Sequence, residues 1–328
     1  MAWALMSPAL LVLGVFGIFP IGYAFFVSLH RWRIKKESLV GLRHYATALG
    51  DPVWLLSLAI GFGLVLLARP LRARGDDTVH RLGSLGLLAG GTLVGIRGFI
   101  GMSETGDVRL FNAFKVTLFY AIGTIPFEVV GAMLLAYLLF RILTARGFFR
   151  ILYFLPYITP MIATAVVFRT IFSPNPGSLA NRFWGLLGGQ NQRWLQESRT
   201  VPALMLQGLG VDGYPDWIDT AFPSLALVCV VLYNVWVYIG YDTVILLAGL
   251  SAIPRHYFES AAIDGANQWQ QFRHVTLPLI SPTLFFISLV AVIGTFKAFN
   301  HIYIMRTAGA QDSVDVVSVL IFDQIYQY

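Results

Sequence analysis

The sequence predicts an all-α polytopic membrane protein, and three features predict it. Hydrophobic residues make up 57% of the 328-residue chain, above the roughly 45–50% of soluble domains. Charged residues make up 12%, about half the usual ~25%, too few to cover a water-soluble surface. Several apolar stretches also reach the ~20 residues that cross a bilayer as a helix. Seven candidate spans can be traced, which argues for one bundle rather than two soluble domains.

The first span is residues 4–29, interrupted by Pro20 and Gly22, which transmembrane helices tolerate. It has neither a basic leading region nor a small-residue cleavage site, so it reads as a retained helix. A basic, aromatic loop follows, with His30, Arg31, Trp32, Arg33, Lys35, Lys36, Arg43, His44 and Tyr45. Residues 53–68 and 82–96 are shorter apolar stretches around a polar hinge at 69–81. Together they predict an inserted hydrophobic hairpin over 53–96, either spanning or peripheral. Gly86, Gly90, Gly91 and Gly95 supply small residues for close helix contact.

The fourth span, 116–140, contains Pro126 and Glu128. The fifth, 148–172, contains Pro156 and Pro160, which lack backbone donors and predict a bend. Residues 173–222, rich in Pro, Gly, Asn and Asp, read as an aqueous loop carrying short helices. The sixth span is 224–250 and the seventh 279–305, with Lys297 inside it. Counting lysine and arginine on alternate loops does not choose an orientation.

Several chemistries have no residues to carry them. The sequence holds no phosphate-binding loop, dinucleotide fingerprint, His-Glu-x-x-His pattern or carboxylate pair suited to acid–base catalysis. No metal site is expected, and Cys229, the single cysteine, excludes an intrachain disulfide. The formal charge of +6 comes with no dense basic cluster, so nucleic acid is not an expected partner. A non-catalytic membrane protein is expected.

Polar groups at membrane depth are costly and face a cavity or a partner. Glu128, Asn234, Asp242, Lys297 and Asn300 are the main ones. Flat aromatic rings with a few amides suit a sugar, which has apolar faces and hydroxyl rims. The candidate substrate pathway is therefore Glu128, Asn234, Trp236, Tyr238, Tyr241, Asp242, Phe296, Asn300 and Tyr303. An interfacial aromatic belt or simple interhelical bonding would use the same residue types. Glu128 and Asp242 could also serve as relays in a proton-coupled carrier.

The segment between the last two spans is the most informative. Pro254 and Arg255 precede a short helix over 256–263, Asp264 and Gly265 break it, and a second short helix covers 266–274. Leu277 and Pro278 then redirect the chain into the membrane. Ala261, Ala262 and Ala266 permit close approach by another protein, and Phe258, Ile263, Trp269 and Phe272 can anchor it. Such an elbow suits the transmission of a rigid-body push, although an ordinary connecting loop fits the same residues.

The run Glu259-Ser260-Ala261-Ala262, then Asp264-Gly265-Ala266, Phe272, Leu277 and Pro278 resembles the signature of binding-protein-dependent ABC importer permeases. The following Pro282 is similar to the sugar-importer branch, of the maltose, trehalose and glucoside type. Leu247-Ala248-Gly249-Leu250, Asn112 with Thr117-Leu118, Phe154-Leu155-Pro156, and Gly177 through Asn181 agree in order. The resemblance implies a permease bundle over 1–328 with its core at 112–328 and a coupling loop at 251–278. It implies that Glu259, Ala262, Asp264, Gly265, Ala266, Phe272 and Pro278 couple the chain to an ATPase subunit. It implies that this chain binds no cofactor itself, with ATP and magnesium on the partner ATPase subunits. The implied partners are a second permease subunit in a heterodimer, two ATPase subunits, an extracytoplasmic sugar-binding protein and membrane lipid. The implied cargo is a di- or oligosaccharide, with a polyol or glycerol-phosphate compound as the alternative. The implied location is the cytoplasmic membrane of a bacterium or archaeon, with 251–276 inside and 173–222 outside.

Four departures stand out. Ser260 occupies a usual alanine position, and the 53–96 hairpin is an insertion. Thr307-Ala308-Gly309-Ala310 replaces the usual double-glycine–proline turn. The chain stops at Tyr328, where relatives continue into one more helix, so a truncated C-terminal helix is expected.

Overall fold

The computed structural model describes residues 2–32, 36–73, 78–141, 146–211, 213–215 and 217–326. Residues 74–77 of the expected polar hinge, and Arg33 and Lys35 of the basic loop, lie outside the described residues. Among the described residues, six helices are long and apolar enough to cross a membrane: Met6–Ser28, Pro52–Pro70, Val79–Thr105, Val108–Phe140, Leu225–Ser251 and Gln268–Phe296. A bent pair, Gly147–Ile158 with Met161–Ile171, makes a seventh if counted as one span. The chain forms two compact units, Met1–Phe111 and Asn112–Tyr328.

In the first unit, α1 (Ala2–Leu13) runs through a π-helical turn at Gly14–Ile18 into α2 (Phe19–Ser28), which carries Pro20 in its first turn. The basic loop contains an antiparallel strand pair that its residues did not announce, β1 (His30–Trp32) and β2 (Lys36–Leu39). Strands of three and four residues are too short to display a period of two. An Arg31–Glu37 ion pair at 3.4 Å joins them. After α3 (Arg43–Leu49), the hairpin forms from α4 (Pro52–Ala73) and α5 (Thr78–Thr105).

Both hairpin helices outrun their apolar stretches, since helical hydrogen bonding continues through polar flanks. Their seam is a glycine contact. A Cβ at Gly91 would sit 2.8 Å from the Gly61 carbonyl oxygen, and one at Gly61 would sit 2.4 Å from the Gly95 nitrogen. A Cβ at Gly98 would meet the Leu58 nitrogen at 2.6 Å. Gly86 and Gly90 face open space, so of the four expected contact glycines two lie in the seam.

The second unit is organised around α12. Its helices are α6 (Val108–Arg141), α7 (Arg146–Ile158), α8 (Met161–Ile171), α9 (Leu179–Leu186), α10 (Val201–Gly208), α11 (Trp217–Ala221) and α12 (Leu225–Ser251). They continue with α13 (Arg255–Ile263), α14 (Gln268–Gln271), α15 (Leu277–Phe296), α16 (Asn300–Met305), α17 (Gln311–Val314) and α18 (Val317–Tyr326). The bend between α7 and α8 is 92°. It falls at Pro160, whose backbone is extended (ψ 121°), while Pro156 is absorbed inside α7.

Small residues let α12 approach its neighbours closely. A Cβ at Gly240 would fall 1.7 Å from the Tyr153 carbonyl oxygen of α7, and one at Gly131 of α6 would meet Ile239 Cδ1 at 2.6 Å. One buried cluster includes Tyr120, Leu227, Val230, Tyr233, Ile302 and Met305. Another includes Ala132, Leu139, Leu246, Leu250, Ile280 and Ile287. Large apolar side chains such as Phe127, Val130, Phe285 and Phe286 are exposed on the long helices, as lipid-facing surfaces require.

Two expectations about the last span need correction. The span ends at Phe296 rather than continuing to residue 305, and the helix restarts at Asn300 after Phe299 leaves helical geometry (φ −137°). Apolar residues continue on both sides, so hydropathy could not reveal the break. The Ala298 carbonyl that the break frees accepts a hydrogen bond from Ser318 Oγ. At the other end, Pro278 does not redirect the chain. Residues 268–296 run as one helix, with a π-helical turn at Phe272–Thr276 ahead of Pro278. The wider turn accommodates a proline that cannot donate to the preceding turn.

Candidate functional site

Two places in the second unit gather the residues singled out by sequence. The first is the elbow after α12. Helix α13 is capped by Asp264, and Gly265 adopts φ +79° with nothing within 4 Å of where a Cβ would stand. Any residue with a Cβ would be strained in that left-handed conformation. The next helix opens with a capping box: Asn267 Oδ1 accepts from the Gln270 N–H at 2.9 Å, and Gln270 Oε1 accepts from the Asn267 N–H at 2.8 Å. It covers only Gln268–Gln271 before the π turn, shorter than the sequence indicated.

The four apolar anchor candidates divide into two pairs. Phe272 packs edge-on against Tyr137 of α6, with ring centroids 4.9 Å apart, and Phe258 lies 6.4 Å from Phe140. These two fasten the elbow to the bundle. Ile263 is 86% exposed, and Trp269, 65% exposed, stacks on Phe272 with ring centroids 5.6 Å apart. Glu259, Ala262, Asp264 and Gly265 are also exposed, Pro278 is exposed at the start of α15, and Ala266 is half-buried. The elbow thus has an inner face fixed to α6 and an open outer face.

The second place is a cavity of about 300 Å³ among α6, α7, α8, α12, α15 and α16. Glu128, Asn234, Tyr238, Tyr241, Asp242 and Asn300, six of the nine pathway candidates, line it. Glu128 and Asp242 are 3% exposed. Asn234 Nδ2 donates to Glu128 Oε2 at 3.4 Å. Tyr157 stacks on Tyr241 at 4.5 Å and meets Tyr238 edge-on at 5.8 Å, giving one wall an aromatic surface.

The other three candidates lie elsewhere. Trp236 packs on Phe168 at 5.0 Å and is otherwise exposed. Phe296 is 43% exposed and off the cavity. Tyr303 packs between Phe299 and Phe322, with the Arg306 guanidinium 4.5 Å above its ring.

Sequence reasoning missed His301, Tyr157, Met161 and Thr295, which also line the cavity. His301 is 2% exposed, and its Nε2 is 2.8 Å from the Tyr120 hydroxyl. Its ring stacks on Tyr233, whose hydroxyl meets Thr164 Oγ1 at 2.8 Å. Helices α6, α8, α12 and α16 therefore meet at this histidine. The helix restart at Asn300 places it there, and that restart left no hydropathy signal.

Outside the spans, the long loop folds on Asn181. Its Nδ2 donates to the carbonyls of Asn175 and Gln192 at 3.1 Å, and its Oδ1 accepts from Trp194 Nε1 at 2.8 Å. Arg199 holds the Glu197 carboxyl below its usual pKa through bonds of 2.9 Å. Arg306 donates to both oxygens of Asp323, at 2.7 and 3.1 Å, and reaches Asp315 at 3.5 Å. Burial nevertheless pushes the Asp315 carboxyl up to about 6, against the pull of Arg306.

The probable ABC transporter permease protein YesP of Bacillus subtilis (strain 168) is 30% identical over 227 residues, covering 68% of this chain and 65% of YesP. The arabinooligosaccharides transport system permease protein AraP of the same organism is 28% identical over 229 residues, covering 70% of this chain and 64% of AraP. The chain thus spans slightly less than two thirds of the length of these relatives. A crystal structure of a bacterial alginate ABC transporter, in complex with alginate pentasaccharide-bound periplasmic protein, shares the fold. Its TM-score is 0.53 at 22% identity, covering 66% of this chain and 68% of the matched one. The family described as binding-protein-dependent transport system inner membrane component matches residues 116–306, more than half of the sequence and both candidate places, and the chain belongs to that family.

Proposed function

We propose that this chain is the transmembrane permease subunit of an ATP-driven importer, moving a di- or oligosaccharide from an extracytoplasmic binding protein into the cytoplasm. One observation carries the reading: the same two helices hold both candidate places. Helix α6 carries Glu128 at the cavity and Tyr137 against the elbow, and α12 carries Asn234 to Asp242 and leads into the elbow. A displacement of the elbow is thereby a displacement of the cavity walls.

The chain contributes no catalytic group. Glu259, Ala262, Asp264, Gly265 and Ala266, with the exposed Ile263 and Trp269, form the surface for an ATPase subunit. Phe272 and Pro278 carry its motion into the bundle. ATP and magnesium belong to two such ATPase subunits, and a second, different permease subunit completes the pathway. The family description supports dependence on a binding protein, and AraP's role with arabinooligosaccharides supports an oligosaccharide cargo. The membrane is the cytoplasmic membrane of a bacterium or archaeon. A polyol or glycerol-phosphate cargo is the alternative: of its two candidate cations, Lys297 lines the cavity, whereas Arg169 donates to the Ile304 carbonyl at 3.3 Å and does not line it.

The test is ATP hydrolysis by the assembled complex in lipid nanodiscs, with its binding protein and a panel of sugars, followed by vesicle uptake. Stimulation by a sugar that is also taken up supports the importer. Uptake that persists without the ATPases and collapses with the proton gradient overturns it in favour of a Glu128–Asp242 carrier.

A further inference from the structure

The cavity holds two polar atoms that the protein leaves unserved. Asp242 Oδ2 and His301 Nδ1 are buried without a hydrogen-bond partner, and both residues are at least 97% buried on the cavity wall. Buried polar groups are nearly always paired, and leaving one unpaired is costly. Two such atoms on one wall, beside the Tyr157–Tyr241 stack, describe a surface waiting for hydrogen-bonding partners on a ring-shaped ligand.

The chemistry of those atoms restricts the ligand. His301 Nδ1 donates or accepts according to which proton Tyr120 leaves on Nε2. Asp242 Oδ2 needs a donor whenever the carboxylate is ionised. A hydroxyl donates and accepts, so it satisfies both atoms in either state. A carboxylate only accepts, and it would enter beside two buried carboxyl groups, Glu128 and Asp242. Among the described residues neither carboxyl has a basic side chain within ion-pair distance. Lys297 lines the same wall, exposed at the end of α15, and pairs with neither carboxyl.

Resting on the importer reading, we propose that this cavity is a charge filter. It binds an uncharged glycosyl unit through Asp242 Oδ2 and His301 Nδ1, and it rejects sugars bearing a carboxylate. The filter acts within the membrane, independently of whatever the binding protein selects.

The experiment uses the assembled permease–ATPase complex in nanodiscs with the binding protein omitted, so that its selectivity does not enter. Calorimetric titration with arabinotriose and maltotriose as neutral probes, and trigalacturonate as the acidic one, reads the filter. The neutral probes bind at least about tenfold more tightly than trigalacturonate, the scale on which a site with committed polar groups discriminates. Asp242→Asn, whose amide supplies a donor to a carboxylate, narrows that ratio at least about threefold, and Glu128→Gln narrows it in the same direction. Equal binding of neutral and acidic probes by the unmodified complex overturns the filter. So does an unchanged ratio in both variants while neutral binding persists. A complex that imports a sugar with its binding protein yet binds no neutral probe here overturns the filter alone. A verified complex that imports no sugar overturns the importer reading as well.

Discussion

Phe272 and Tyr137 pack edge to face at 4.9 Å, and this contact ties the elbow to the helix that carries Glu128. Phe258 against Phe140 repeats the tie one turn along α6. If the elbow transmits the ATPase stroke, Phe272→Ala lowers sugar-stimulated ATP hydrolysis at least about fivefold, the lower end of typical coupling energies. Basal hydrolysis and membrane insertion stay near their original levels. Full stimulation in this variant would show that motion reaches the cavity by another route.

The outer face of the elbow separates binding from folding. Ile263 is 86% exposed in the isolated chain, so Ile263→Ala shifts its stability by no more than about 0.5 kcal/mol, whereas Trp269→Ala also removes a ring stacked on Phe272 at 5.6 Å. On the proposed reading both weaken co-purification with an ATPase subunit, because exposed apolar side chains are anchors for a partner. Glu259→Ala weakens stimulation further. Gly265→Pro does so by another path, since proline cannot adopt φ +79°. Retention of the ATPase at unchanged affinity in all four variants would remove this face from the interface.

Gly240 marks where the bundle has no spare room. A Cβ would lie 1.7 Å from the Tyr153 carbonyl, a backbone atom that cannot swing aside. Gly240→Ala therefore forces α7 and α12 apart. The expected cost is about 1–3 kcal/mol, read as a lower unfolding temperature in detergent. Gly294→Ala is the control, because nothing lies within 4 Å of a Cβ there. Equal melting temperatures for the two variants would mean that the α7–α12 contact is looser than described.

Much of this architecture was legible in the sequence, for reasons that particular residues make plain. Long apolar runs announced each spanning helix, Pro160 announced the bend, and Asp264-Gly265 announced the elbow. The clustering of Glu128 with Asn234 and Asp242 followed from the cost of burying polar groups in a membrane. His301 was illegible because a broken helix delivers it to the cavity, and the break lies inside continuous apolar sequence. Trp236 and Tyr303 lie off the cavity for a related reason. Their residue types suit a sugar, but facing direction depends on helix rotation, which Phe168 and Phe322 settle by packing. The β1–β2 pair was hidden by its length.

Tyr120 and His301 offer a test of the junction beside the cavity. Tyr120 is fully buried, and its hydroxyl gives His301 Nε2 its partner at 2.8 Å. Tyr120→Phe keeps the ring and removes the bond, leaving a second nitrogen of His301 unserved. The expected loss is about 1–3 kcal/mol of stability. A double variant with His301→Phe recovers part of it, since no orphaned nitrogen remains. Additive losses in the double-mutant cycle would show that the two side chains do not interact.

Asp315 gives the segment after α16 a measurable dependence on pH. Burial raises its pKa from 3.8 to about 6, even with Arg306 at 3.5 Å. The folded chain therefore holds this proton more tightly than the unfolded chain does. The folded state is favoured by the proton at low pH, and that advantage is lost as pH rises from about 4 through about 6. Asp315→Asn removes the titration while keeping the side chain's shape, and Asp323 continues to pair with Arg306 through two bonds. The difference in melting temperature, variant minus unmodified protein, should thus grow more positive between pH 4.5 and 7 and level off above. Glu197 provides the opposite sign. Arg199 lowers its pKa, so its contribution is present above the unfolded carboxyl value and fades as pH falls. The difference for Glu197→Gln should become less negative on acidification. A flat Asp315→Asn difference across the range would mean that Arg306 cancels the effect of burial at that carboxyl, and a reversed trend that it outweighs it.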